Sequence, residues 1–159
     1  MINAKDSKNT FYILNKKENT PIVLIHGVGL NHKIWEPQIN SFDNTVLVYD
    51  ILGHGNTPLT KSQISFDDLS LQLLNLIDEL KFEKMHLVGF SIGSLIARNF
   101  ASKYNNRLES LTLLCSVFQR SNEQQQIVDK LLRNFPYCFL QSLNKFFHKY
   151  LDFYLYIHL

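Results

Sequence analysis

Apolar and polar positions along this chain follow two periods. Short runs that are apolar almost throughout, "PIVLI", "NTVLVY" and "KMHLVGF", each end directly at a glycine cluster. Runs of this kind suit strands buried on both faces of a parallel sheet, and glycines at their carboxyl ends suit sharp turns. "TFYIL" reads as an earlier strand and "LESLTLLCSVF" as a later one. Between them the period lengthens. In "SFDDLSLQLLNLIDEL", Phe66, Leu69, Leu73, Leu76, Ile77 and Leu80 recur on one helical face. Ser65 and Asp68 ahead of that face have the spacing of a capping box. A second helix is predicted from about Ile92 to Tyr104. Strands alternating with helices predict an α/β fold, a parallel sheet with helices on both faces.

Composition narrows the picture. The 159 residues are 45% hydrophobic and 19% charged, enough apolar surface for one folded domain. The net charge of +2 is dispersed, so no nucleic-acid partner is expected. Cys115 and Cys138 make neither a disulfide framework nor a metal-ligand spacing, and no metal is expected. "MINAKDSKNT" has no apolar leader, and no run approaches the length of a membrane span. Together these predict a cytoplasmic protein with no membrane association.

All six glycines fall in three clusters: Gly27 with Gly29, Gly53 with Gly55, and Gly89 with Gly93. The third frames a serine, "Gly89-Phe90-Ser91-Ile92-Gly93", between a strand and a helix. Acyl transfer needs an exposed hydroxyl, and a sharp strand-to-helix turn supplies one. Small neighbours, Ser94 included, let the two elements approach. The backbone N–H of Ile92, at a helix amino end, is placed to stabilise a negative oxygen. A second donor is expected from a turn after an earlier strand, and "His26-Gly27-Val28-Gly29" assigns that role to Val28. The bland alternative is that Ser91 merely caps the helix. Nucleotide binding fails on spacing: neither "GVGLNH" nor "GHGNTP" completes G-x-G-x-x-G, and no G-K-[ST] is present.

"IVLIHGVGLNHKIWEPQI", "VLVYDILGHGNTP" and "MHLVGFSIGSLIARNFA" together resemble the α/β-hydrolase superfamily over about residues 10 to 119. Within it the chain is similar to small-molecule esterases and lactonases, such as 3-oxoadipate enol-lactonases and pimeloyl-carrier methyl ester esterases. The resemblance implies a serine hydrolase of carboxylic esters or lactones that uses no cofactor. By that pattern Ser91 is the nucleophile, Val28 and Ile92 form the oxyanion hole, and Asp50, Gly53 and Gly55 shape a structural turn. Thr57 stands where serine is commoner. Leu30, Trp35 and Phe90 are expected at an apolar pocket floor. His26 and His54 are read as holding turn geometry, His32 and His86 as surface or strand-end residues.

The acid and histidine that should follow Ser91 are not evident, since Asp50 precedes it. The chain thus reads as the amino-terminal part of the hydrolase core (1–119) with a divergent, helical, aromatic tail (120–159). Nine of the twenty aromatic residues fall in the last twenty-five positions, and no glycine follows Gly93. Asp152 and His158 occur in the required order, but they lie only six positions apart. Three readings of the tail compete: a covering aromatic helix, out-of-frame translation, or a fragment that pairs with a second polypeptide. The out-of-frame reading is favoured, because catalytic and structural gaps coincide. The function alternatives are a non-catalytic binding or interaction module and one half of a split enzyme. The strand near Leu111–Leu114 is expected to leave an open sheet edge and promote self-association, unless the tail covers it.

Overall fold

The computed structural model describes residues 1–115 and the backbone of residues 154–158. Among these residues seven strands form one mixed sheet in the order β1-β2-β4-β3-β5-β6-β7. They are β1 (Ile2–Lys5), β2 (Phe11–Asn15), β3 (Asn19–Ile25), β4 (Asn44–Tyr49), β5 (Met85–Phe90), β6 (Leu108–Leu114) and β7 (Tyr154–His158). The four strands β4, β3, β5 and β6 run parallel, so their carboxyl ends share one edge of the sheet. Antiparallel β1–β2 closes one side and antiparallel β7 the other.

Among the described residues there are two α-helices, α1 (Phe66–Glu79) and α2 (Ile92–Tyr104). Ser65 and Asp68 form the full reciprocal capping box at the start of α1. Leu69, Leu73, Leu76 and Ile77 of α1 and Ile96, Ala97 and Phe100 of α2 are buried in one cluster with Val23, Ile25, Leu47, Leu87 and Leu111 of the sheet. Both helices therefore cover the same face. Among the described residues, the opposite face is covered by a 3₁₀ turn at His32–Trp35, whose Trp35 packs with Ile22, Leu24, Val46, Val48 and Phe90.

The edge of β6 is paired. Antiparallel β7 sets Tyr154 opposite Leu114, Leu155 opposite Leu113 and Ile157 opposite Leu111. The sequence expectation of a helix through this segment fails at Tyr154–His158. There "YLYIH" alternates with a period of two, which suits a strand. The rest of the tail lies outside the described residues. A chain ending before Tyr154 is expected to self-associate through the bare backbone groups of β6, whereas the full chain elutes as a monomer in size-exclusion chromatography. Identical elution of both chains would count against this role for β7.

Candidate active site

The parallel strands deliver three turns to one edge of the sheet. The first follows β3, where Leu30 N–H donates to the Gly27 carbonyl at 3.2 Å and Gly29 takes a φ of 68°. The second follows β4 and is organised around Asp50, which is fully buried. Its carboxylate accepts from the backbone N–H of His32 at 2.7 Å, the His32 ring Nδ1 at 2.9 Å and the Asn56 N–H at 2.8 Å. Gly55 makes room for that carboxylate, since a Cβ there would lie 2.1 Å from Oδ2. His32 is thus a buried partner of Asp50 and not the surface residue its sequence position suggested. A buried carboxylate must collect donors, and the His32 backbone and ring supply two of them.

The third turn joins β5 to α2 and carries Ser91. Its backbone adopts φ 55° and ψ −117°, a conformation that a residue with a side chain reaches only when its surroundings force it. Three contacts enforce it: Ser91 N–H donates to the Leu114 carbonyl at 2.9 Å, and the Ser91 carbonyl accepts from both N–H and Oγ of Ser94. The Ser91 side chain makes no capping bond to α2. The capping alternative therefore fails, and Ser91 stands partly buried at the tip of the turn.

The expected pocket residues are brought together. Leu30, Trp35 and Phe90 are each at least nine-tenths buried and share one cluster with Leu114, on the face away from α1 and α2. Val28 lies 48% exposed at the rim of the first turn, and Ile92 opens α2 beside the serine. Trp35 Nε1 and Gln38 Oε1 are buried without a partner among the described residues.

The histidines are committed elsewhere. His26 is fully buried, with its Nε2 accepting from Ile51 N–H at 3.1 Å and its Nδ1 2.8 Å from the Gly27 carbonyl. Burial, against the pull of the Gly27 carbonyl and Asp50, pushes its pKa down to about 4, so the ring is neutral near pH 7. His54 sits 3.1 Å from the Leu52 carbonyl through Nδ1, with its ring 5.4 Å from that of His26. His86 lies near the start of β5, 2.8 Å from Ser110 Oγ. His158 stands opposite Ser110, whereas Ser91 follows the row of Phe90, Leu114 and Tyr154. Four residues of strand, roughly 13 Å, separate the two levels. Since β7 runs antiparallel, its carboxyl end points away from the serine. His158 is on the wrong edge of the sheet to serve Ser91. Asp152 lies outside the described residues, as do Cys138 and His148. No group of three metal-ligating side chains occurs among the described residues.

One residue of this edge escaped the sequence reading. Gln72 of α1 donates to the Asp50 carbonyl at 3.1 Å and accepts from Leu52 N–H at 3.0 Å, clamping the second turn to the helix. Its signal was present. Gln72 occupies the apolar face, three residues after Leu69 and four before Leu76, where a polar group must find buried partners.

A mixed sheet with a strained serine at a strand-to-helix turn defines an α/β-hydrolase core. The sequence profile of the alpha/beta hydrolase fold matches residues 20–150, and the chain belongs to this family. The match runs past residue 119, the expected end of the resemblance, so the family likeness extends into the aromatic tail. The chain is 27% identical over 124 residues to an (E)-2-((N-methylformamido)methylene)succinate hydrolase of Acinetobacter baylyi, covering 77% of this chain and 47% of that protein. It is 32% identical over 100 residues to 3-oxoadipate enol-lactonase 1 of the same organism, covering 61% and 37%. Among solved structures, the enol-lactonase of Burkholderia xenovorans superimposes with a TM-score of 0.59 at 28% identity, covering 64% of this chain and 42% of that one. A hydrolase from Pseudomonas aeruginosa shares the fold with a TM-score of 0.71 at 22% identity, covering 84% and 53%. The chain spans less than half the length of both Acinetobacter relatives. No helix among the described residues is long and apolar enough to cross a membrane.

Proposed function

We propose that Ser91 is the nucleophile of a serine hydrolase acting on carboxylic esters or lactones of small molecules. One observation carries this reading: a serine held at φ 55° whose hydroxyl caps nothing. Backbone strain of this kind costs about 1–3 kcal/mol and clusters at functional sites, which supports a role for the hydroxyl it presents. Ser91 Oγ attacks the carbonyl carbon, and the oxyanion of the tetrahedral intermediate is held by the N–H groups of Val28 and Ile92. Its collapse expels the alcohol, or opens the lactone, and leaves an acyl-serine that water hydrolyses. The apolar cluster of Leu30, Trp35 and Phe90 forms the floor beneath the acyl group. Relatives that act on a succinate derivative and an enol-lactone support small carboxylic substrates.

The proton shuttle must come from outside the described residues. Every described histidine is already engaged or lies at the wrong level, which favours a second reading in which this chain supplies half of a split enzyme. Under that second reading turnover by this chain alone is expected to be orders of magnitude below that of a complete triad. Labelling with a fluorophosphonate probe tests the nucleophile directly. The full chain is expected to be labelled slowly at millimolar probe and Ser91→Ala not at all. No labelling of the folded wild-type protein would leave the hydrolase reading without support and favour a binding module on the same fold.

A further inference from the structure

The ring of His26 has a defined tautomer. Its Nε2 receives a hydrogen bond from the Ile51 backbone N–H, so that nitrogen carries no proton. The proton of the neutral ring therefore sits on Nδ1, 2.8 Å from the Gly27 carbonyl oxygen, to which it donates. The same oxygen accepts from Leu30 N–H at 3.2 Å. A trans peptide is planar, and its C=O and N–H point in opposite directions. No cis peptide occurs among the described residues. Fixing the Gly27 carbonyl thus fixes the direction of the Val28 N–H on the far side of the same plane.

From this we infer that His26 is a positioning residue. It anchors the Gly27–Val28 peptide to the end of β4, so that the Val28 N–H is aimed before substrate arrives. The inference rests on the reading of Ser91 as nucleophile and Val28 as oxyanion donor. Val28 needs such help, because it is 48% exposed at the rim and lies in a two-residue turn that packing alone does not hold. Were the peptide to flip, the Gly27 oxygen would lose both donors and point toward the place where the oxyanion forms. The His26 ring opposes that flip at no cost in buried charge, since both of its nitrogens are satisfied in the neutral form. The Ile51 N–H, left without a strand partner at the end of β4, is satisfied by the same ring. One buried side chain thereby ties the turn after β3 to the turn after β4.

The rate of Ser91 labelling by a fluorophosphonate, which forms its own oxyanion, reads this role. His26→Phe fills the space of the ring but donates nothing, and His26→Asn places an amide N–H where Nδ1 stands. In folded protein the phenylalanine variant is expected to label roughly 10- to 100-fold more slowly, as for a misaimed oxyanion donor, and the asparagine variant to recover most of the wild-type rate. Equal rates in all three, or an asparagine variant as slow as phenylalanine, would overturn the inference while leaving Ser91 as nucleophile. A wild-type protein that does not label would overturn the nucleophile reading and the oxyanion role together. Imidazole nitrogen chemical shifts of the unmodified protein give an arm that needs no variant. A proton on Nδ1 and none on Nε2 is expected, and a proton on Nε2 would sink the inference whatever the variants do.

Discussion

Gly93→Ala is expected to destabilise the fold by about 3 kcal/mol or more, the scale reached when a methyl group is forced against rigid surroundings. A Cβ at this position would lie 2.5 Å from the Ile25 carbonyl oxygen and 2.7 Å from that of His26, both backbone atoms at the end of β3. Those atoms cannot withdraw, because β3 is the central strand and is paired to β4 on one side and β5 on the other. Gly89→Ala is expected to be as severe, with its Cβ 2.3 Å from the Gly93 carbonyl oxygen. Gly27→Ala supplies the contrast: its Cβ meets the Phe90 ring at 3.1 Å and the Leu30 side chain at 3.3 Å, and side chains can turn aside. Urea denaturation should therefore rank Gly27→Ala well above Gly89→Ala and Gly93→Ala in stability. A Gly93→Ala protein with a wild-type unfolding midpoint would show that helix and strand do not approach as closely as described. The same squeeze has a functional consequence, because it is the closeness of α2 to β3 and β5 that bends the chain into the conformation found at Ser91.

What could be read from the sequence follows from how much each residue's environment constrains it. Strands buried on both faces must be apolar throughout, so β3, β4, β5 and β6 were visible, and α1 announced itself by period and cap. The strand β1 was not visible, since three of its four residues, in "INAK", are exposed and only its pairing with β2 defines it. The serine turn was legible because only glycine tolerates the contacts at 89 and 93. That Ser91 does not cap α2 was not legible, because a capping serine and a strained one share the same letters and differ in backbone angles. Position 32 shows a different limit. A histidine next to a turn carries no mark of burial until the carboxylate of Asp50, 18 residues away, is folded against it. The direction of β7 lies furthest out of reach. Alternation in "YLYIH" can be read as a strand, but nothing local says that it runs against β6. That direction alone carries His158 away from the serine.

Acidification is expected to remove about 3 kcal/mol of stability between pH 6.5 and pH 4, through His26 alone. Its ring titrates near 6.5 in the unfolded chain and is held down to about 4 in the fold, chiefly by burial. The unfolded chain therefore binds more protons in this window, so stability is fully present above pH 6.5 and is lost as pH falls through it. Below the folded value the loss levels off. At about 1.4 kcal/mol for each pH unit the difference accumulates to roughly 3 kcal/mol by pH 4. Two carboxylates act lower. The carboxyl of Asp68, held below its ordinary range by the Lys61 and Ser65 hydrogen bonds, and that of Glu79, held down by Ser7, lose their contributions only as pH falls through the carboxylate range. The neighbours that face the His26 ring, Asp50, His54 and His32, partly offset one another, with Asp50 favouring the charged form and the two histidines opposing it. Denaturant unfolding at pH 7 and pH 4 checks this: wild type is expected to lose most of the 3 kcal/mol, and His26→Asn, starting from a lower stability, markedly less. Equal losses in the two proteins would place the acid sensitivity elsewhere. The protonated ring would also set an N–H at Nε2 against the N–H of Ile51, two donors face to face. Acid thus strikes first at the anchor of the Gly27–Val28 peptide, and Ser91 labelling is expected to fall over the same pH range in which the fold weakens.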